Sequence, residues 1–154
     1  MAEEAVKPAP PFQVHIVTPY ELFFDGDAEM LIVTGTDGEF GIMAGHTPSV
    51  VALAPGESRL LVDGQWRVSA TSNGYAEIDR DHVTLVTTSA EWPESIDVAR
   101  AQRALDRATE RIHDPATAPE EVERSKVGVK RAQARLHVAS EHDAKEKDGG
   151  RTRT

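Results

Sequence analysis

Hydrophobic residues recur along this chain at two different periods, a spacing of two before residue 88 and a spacing of three to four after residue 95. Phe12, Val14 and Ile16 alternate with Gln13 and His15, as in a strand with one buried face. Residues 20–24, closed by Asp25-Gly26, and residues 28–34 predict two more strands. Short apolar segments then fall between turn residues at 50–53, 60–62, 66–70, 75–78 and 83–87. Asp63-Gly64, between two of them, is a hairpin signal. Strands this short and evenly spaced predict an antiparallel β-sandwich or barrel.

In the second period Val98, Ala101, Leu105, Ala108 and Ile112 share one face of a helix. Val122, Ser125, Val129, Ala132, Leu136 and Ala139 share a face of another. Between them, residues 113–119 hold Pro115 and Pro119, which a continuous helix does not tolerate. The result is an antiparallel two-helix hairpin. Pro93 stops the last strand, Ser95 is the expected N-cap, and Asp97 falls in the first turn, where the helix dipole favours an anion. Pro119 with Glu120 and Glu121 opens the second helix. The fold class is therefore α+β. Its expected parts are an arm at 1–11, a β-sandwich at 12–92, a hairpin at 93–139 and a disordered charged tail at 140–154.

Charge sharpens this division. Residues 1–94 carry four Lys+Arg against fifteen Asp+Glu, residues 95–139 nine against seven, and the last fifteen four against four. The acidic first part argues against nucleic acid as a partner, because phosphate backbones demand clustered cations. With 39% hydrophobic and 28% charged residues the composition is that of a globular protein. No apolar run reaches the roughly 20 residues of a bilayer span, and the start lacks a signal-peptide pattern. Cysteine is absent, so packing alone holds the fold.

Motifs for chemistry are few. There is no phosphate-binding Gly-x-x-x-x-Gly-Lys-Ser/Thr loop and no Gly-x-Ser-x-Gly elbow. Histidines at 15, 46, 82, 113, 137 and 142 show no ligand spacing, so no metal site is expected. Asp79 and Asp81 flank a turn and read as solvated turn residues. The segment 35–48 has four glycines within eleven residues and reads equally as a corner of the β-sandwich or as a functional loop in which Glu39 and His46 are candidate contacts. Arg100 and Arg107 lie seven apart on the first helix, and Arg131 and Arg135 four apart on the second.

The order of these parts resembles the epsilon subunit of bacterial F-type ATP synthases. The motifs are Gly38-Glu39-Phe40-Gly41-Ile42, then Gly45-His46-Thr47-Pro48, then a hairpin opening Ile96-Asp97-Val98-Ala99-Arg100-Ala101. The likeness spans residues 12–139, with Ala44 standing where many relatives have proline. It implies a non-catalytic subunit of the central stalk of a proton- or sodium-translocating machine, peripheral on the cytoplasmic face of the cell membrane. The implied partners are the gamma subunit and the c-ring, with the alpha and beta subunits added when the hairpin extends and inhibits ATP hydrolysis. Glu39 and His46 match the loop that faces the c-ring. Membrane association would come only through the complex.

Some members bind ATP in the folded hairpin. The matching positions are Ile96, Asp97, Arg100 and Ala101 of the motif, with Glu91, Arg107, Arg131 and Arg135 beside it. The resemblance therefore implies no required cofactor, with ATP as the regulatory ligand to be expected. Guanidinium forks suit phosphate oxygens, Glu91 and Asp97 could accept from adenine or ribose, and Ile96 offers an apolar surface to the base. The alternative for the arginines is pairing with Asp106, Glu110 and Glu123 on a solvated face. Alternatives for the whole chain are a stand-alone nucleotide-sensing module and a β-sandwich scaffold whose helices dimerise.

The hairpin's energetics agree with a movable part. Its six sizeable seam residues, Val98, Leu105, Ile112, Val122, Val129 and Leu136, contribute at most about 1.5–3 kcal/mol each when fully buried. Ordering its chain costs on the order of 1 kcal/mol per residue or more, and Gly128 costs ~1 kcal/mol relative to alanine. A bound anion would bias so weakly held an arrangement.

Overall fold

A computed structural model describes residues 9–149. The alternation at its start forms β1 (Phe12–Val17), with Phe12, Val14 and Ile16 buried and Gln13 exposed. The chain continues through β2 (Leu22–Ala28), β3 (Met30–Gly35), β4 (Gly38–Ile42), β5 (Ser49–Leu53) and β6 (Gly56–Val62). After these come β7 (Gln65–Thr71), β8 (Gly74–Ile78), β9 (His82–Thr87) and the short β10 (Ala90–Glu91). All belong to one 10-stranded sheet in the order β10-β7-β6-β3-β5-β8-β9-β1-β2, with β4 beside β3.

The sheet wraps around a single apolar interior in which Val14, Ile16, Leu31, Val33, Leu60, Ile78, Val83 and Leu85 are almost completely inaccessible. Its two end strands are drawn together by an aromatic contact. Phe23 of β2 stacks on Trp92, just beyond β10, with ring centroids 4.5 Å apart. The Arg67 guanidinium of β7 lies 4.3 Å from the Trp92 ring. This makes a nearly closed sandwich, and it confirms the expected fold class.

Four local details differ from the sequence reading. β1 and β9 run parallel, whereas the other pairings are antiparallel. A parallel pair needs a long connection, and the intervening β2–β8 provides one. Asp25-Gly26 does not end a strand: it lies inside β2, where Asp25 pairs with His15 and Gly26 with Val14. The His15 Nε2 to Asp25 Oδ1 contact of 2.9 Å adds to that ladder. Part of the glycine-rich segment is itself a strand, β4, paired with β3 from Gly35↔Gly38 to Leu31↔Ile42. Glycines erased its local signal, and ladder pairing restored it. Asp97, not Ser95, caps the first helix; Ser95 belongs to a one-turn 3-10 segment at Pro93–Ser95.

The expected turn at Asp63-Gly64 is present. Asp63 and Gly64 both have positive φ, 50° and 73°, as a two-residue turn joining Val62 to Gln65 requires.

The helices are α1 (Val98–His113) and α2 (Pro119–Gly149), packed against each other. Their closest seam consists of small residues: Ala101, Ala108, Ser125 and Ala132 are buried. The larger side chains lie at its margins, and Val98 is 48% exposed. α2 does not stop at Ala139 as expected but continues through residues 140–149. Helix-favouring residues and i,i+4 pairs such as His137–Glu141 at 3.5 Å and His142–Glu146 at 3.7 Å suit that continuation. Residues 1–8 of the expected arm and residues 150–154 of the expected tail lie outside the described residues.

Candidate functional site

The hairpin sits on the outside of the sandwich rather than within its main interior. α2 packs on β6 and β7. A small cluster of Ala70, Ile96, Val138 and Ala139, flanked by Val68, forms the apolar part of that contact. None of these five belongs to the interior of the sandwich. The docking is therefore supported by a separate, small area of apolar burial.

Two arginines add directed polar contacts between α2 and the sandwich. Arg131 Nε donates to Ser72 Oγ at 2.8 Å, and its Nη2 donates to Asn73 Oδ1 at 2.6 Å. One turn further on, Arg135 Nε donates to Glu91 Oε1 at 2.9 Å, while Nη2 lies 3.5 Å from Ser89 Oγ. The i,i+4 spacing points both guanidiniums toward the sandwich, Arg131 at the β7–β8 loop and Arg135 at β10 and the residue before it. Ser72, Ser89 and Asn73 carried no signal in the sequence, since only the fold brings positions 46 to 59 residues apart into contact.

The same two arginines border an open groove of about 460 Å³ between the helices. Its lining also includes Arg107 and Arg111 of α1, Arg124 of α2, and Gly128 where the helices come close. Five guanidiniums thus share one groove with a single carboxylate, that of Glu121. Arg111 reaches Glu121 at 3.8 Å, an exposed and weak pair. Among the described residues Arg107 and Arg124 have no ion pair and no side-chain hydrogen bond, so the cationic field is left uncompensated there. Arg111 and Arg124 were not singled out from sequence. Their signal was present: Arg111 follows Arg107 by four, and Arg124 precedes Arg131 by seven.

The remaining candidates fall outside this groove. The Asp97 carboxylate accepts from the Arg100 N–H at 3.0 Å and caps α1. The Arg100 side chain is exposed at that helix start and does not line the groove. Ile96 is 8% exposed within the docking cluster, and Ala101 is buried in the helical seam. Glu91 faces Arg135. The alternative pairing of the arginines with Asp106, Glu110 and Glu123 is not what forms: Asp106 accepts from Gln102 at 3.0 Å and Glu123 from Lys126 at 2.7 Å.

Glu39 and His46 are on and beside β4. Glu39 accepts from Arg59 Nη2 through both carboxylate oxygens, at 3.1 and 3.3 Å. His46 packs edge-on to Phe40, with ring centroids 5.3 Å apart, and its Nδ1 lies 2.7 Å from the Thr47 carbonyl oxygen. Since Glu39 and Phe40 are neighbours along a strand, they face opposite sides of it. Arg59 also meets Glu57 at 3.3 Å, and Glu57 lies 3.7 Å from His137 on α2, so charged groups continue from β4 across β6 to the hairpin.

Both halves of this architecture have counterparts in one group of proteins. The ATP synthase delta/epsilon chain beta-sandwich domain matches residues 11–93, and the delta/epsilon chain long alpha-helix domain matches residues 94–140. The ATP synthase epsilon chain of Caldanaerobacter subterraneus subsp. tengcongensis is 40% identical over 132 residues, covering 85% of this chain and 95% of that one. That of Shouchella clausii is 38% identical over 134 residues, covering 86% and 97%. The chain therefore belongs to the ATP synthase delta/epsilon family, as an epsilon subunit of the F-type enzyme.

Among solved structures, a chain of the Euglena gracilis mitochondrial ATP synthase, determined with OSCP, F1 and the c-ring, superposes with a TM-score of 0.72 at 20% identity. The alignment covers 89% of this chain and 86% of that chain. A chain of the Tetrahymena thermophila mitochondrial central stalk and c-ring gives 0.60 at 10% identity, covering 86% and 99%. At these identities the likeness is one of fold. No helix among the described residues is long and apolar enough to cross a membrane.

Proposed function

We propose that this subunit performs no chemistry of its own and regulates its ATP synthase through the posture of the hairpin, which a nucleotide polyphosphate holds in the docked arrangement. The observation that carries this reading is the five-arginine groove, in which Arg107 and Arg124 are unpaired beside Arg131 and Arg135. Phosphate oxygens there would take bidentate hydrogen bonds from guanidiniums of both helices. Because Arg131 and Arg135 already hold the sandwich through Ser72, Asn73 and Glu91, a ligand gathering them would strengthen the seam and the docking together. ATP is the ligand that the family resemblance implies, and its polyanionic chain suits this field.

In this reading the sandwich bears on the gamma subunit and the c-ring at the cytoplasmic face of the membrane, with Glu39 and His46 toward the c-ring. A released hairpin extends along gamma to the alpha and beta subunits and slows hydrolysis. Binding to the docked form alone stabilises it by RT ln(1 + [L]/Kd), about 2.7 kcal/mol at a hundredfold excess over Kd.

The test is calorimetric titration of ATP into the isolated protein and into Arg107→Ala. The expected result is saturable heat in the wild type and at least about tenfold weaker binding in the variant, one charge-assisted contact being worth about 1.5–3 kcal/mol. No heat at millimolar ATP, or equal affinity in the two proteins, would refute the nucleotide site.

A further inference from the structure

We propose that Glu57 of β6 with His137 and Glu141 of α2 forms a divalent transition-metal site that clips the hairpin to the sandwich. His137 and Glu141 are four residues apart and share one face of α2. That face lies over β6, so His137 Nε2 is 3.7 Å from Glu57 Oε2 and 3.5 Å from Glu141 Oε1. One donor atom from each of the three residues falls within 4.8 Å of the other two. Donors bonded to a tetrahedral zinc ion at about 2.0–2.1 Å stand roughly 3.3 Å apart, so a small contraction of side chains closes the set.

The second observation is the state of Glu57. Its side chain is 15% exposed, and its Oε2 is inaccessible to solvent with no hydrogen-bond partner. The other oxygen, Oε1, lies 3.3 Å from Arg59 Nε, and Arg59 is shared with Glu39. A buried carboxylate oxygen without a donor is costly, and His137 at 3.7 Å is too distant to serve. Neutral imidazole carries only one N–H in any case, so it cannot satisfy Glu57 and Glu141 at once. A dication in the space between them would complete all three groups. Counting Arg59 with its two carboxylate neighbours and Glu141, the surroundings hold one positive and three negative charges, which favours such an ion.

An imidazole with two carboxylates suits zinc and its neighbours, whereas magnesium prefers an all-oxygen octahedral shell. Three protein ligands leave a fourth position for water. The ligands come from β6 and α2, so occupancy would restrain the hairpin in its docked posture independently of the arginine groove. The histidines alone led to the expectation of no metal site; this set departs from it because its other two ligands are carboxylates, Glu141 four positions on and the buried Glu57 eighty positions back, supplied by the docking of α2 on β6.

The experiment uses the untagged full chain at pH 8, without nucleotide, titrated with zinc chloride by calorimetry and with cobalt chloride by visible absorption. Expected are one tight equivalent of zinc, the intense d–d bands of tetrahedral cobalt, and slower amide exchange in α2 on zinc addition. Magnesium chloride should give none of these. His137→Gln should weaken zinc by more than about tenfold, as loss of one of three ligands exceeds the usual 10–100-fold effect of an outer-shell change. Because Glu57→Gln alters a buried group, the exposed Glu141→Gln is the second variant and should weaken zinc similarly. His142→Gln, at the other i,i+4 His–Glu pair of α2, should bind as the wild type does. Unchanged zinc affinity in both His137→Gln and Glu141→Gln, or its loss in His142→Gln alone, would overturn the proposal.

Discussion

His82 at the start of β9 is held by two aspartates of the preceding turn, its Nδ1 at 3.0 Å from Asp81 Oδ1 and its Nε2 at 3.3 Å from Asp79 Oδ2. The hydrogen bond to Asp81 raises the His82 pKa above its ordinary value, the charges of Asp79, Asp81 and Glu77 add to that rise, and desolvation opposes it. The same hydrogen bond holds the Asp81 carboxyl below its ordinary range. The raised histidine favours folding fully below about pH 6.5, and that contribution is lost as pH rises through its folded-state value. The lowered aspartate contributes above about pH 3.9, and its share is lost as pH falls through its own lowered value. The pair therefore supports the turn chiefly in mildly acidic solution, and weakly, because both groups face solvent. In Asp81→Asn the His82 imidazole should titrate at lower pH than in the wild type when followed by NMR. An unmoved midpoint would contradict the assigned cause. Such single contacts set local titration, and they leave little trace in a hydrophobic pattern.

The helices were legible because a repeat of three to four residues over more than forty positions has few competing explanations. β4 was not, since Gly38 and Gly41 remove two of its five side chains and only the ladder with β3 defines it. The arginines of the candidate groove were legible as spacing on each helix. Their anchoring partners Ser72, Asn73 and Ser89, and Glu57 beneath His137, were not, because each is fixed by contacts distant in sequence. Burial in the seam shows what the pattern overstated: alanines and Ser125 meet closely while Val98 remains half outside. Gly128 sits in that seam, and a Cβ built there would lie 3.6 Å from the Ala108 Cβ, an ordinary contact. Gly128→Ala should accordingly stabilise the hairpin by up to about 1 kcal/mol through helix propensity. Thermal melting followed by helical circular dichroism would show the rise, and a lower midpoint would mean that the seam cannot accept the methyl group.

Across the molecule, the sandwich interior and the docking cluster share no residues, which divides the chain into a self-sufficient unit and a dependent one. Ending the chain after Ser95 should leave the sandwich folded, with its strand signal and dispersed amide spectrum intact. Collapse of that spectrum would show that the helices support the sheet. In the assembled enzyme the same truncation should raise ATP hydrolysis if the hairpin restrains it. An unchanged rate would refute that role. The zinc and nucleotide effects should both act on the dependent unit, as slower exchange in α2, and leave protection of the sheet unaltered.

The Phe23–Trp92–Arg67 stack has a mechanical corollary. Trp92 is gripped between Phe23 of the end strand β2 and Arg67 of β7, immediately before the 3-10 turn that leads to α1. If the hairpin leaves the sandwich as proposed, it would swivel downstream of that grip, in the few residues ending at Asp97, so its reach would be set by a pivot anchored to the sheet's own closure. Torque applied through the extended arms would arrive at the seam where the sandwich is zipped shut.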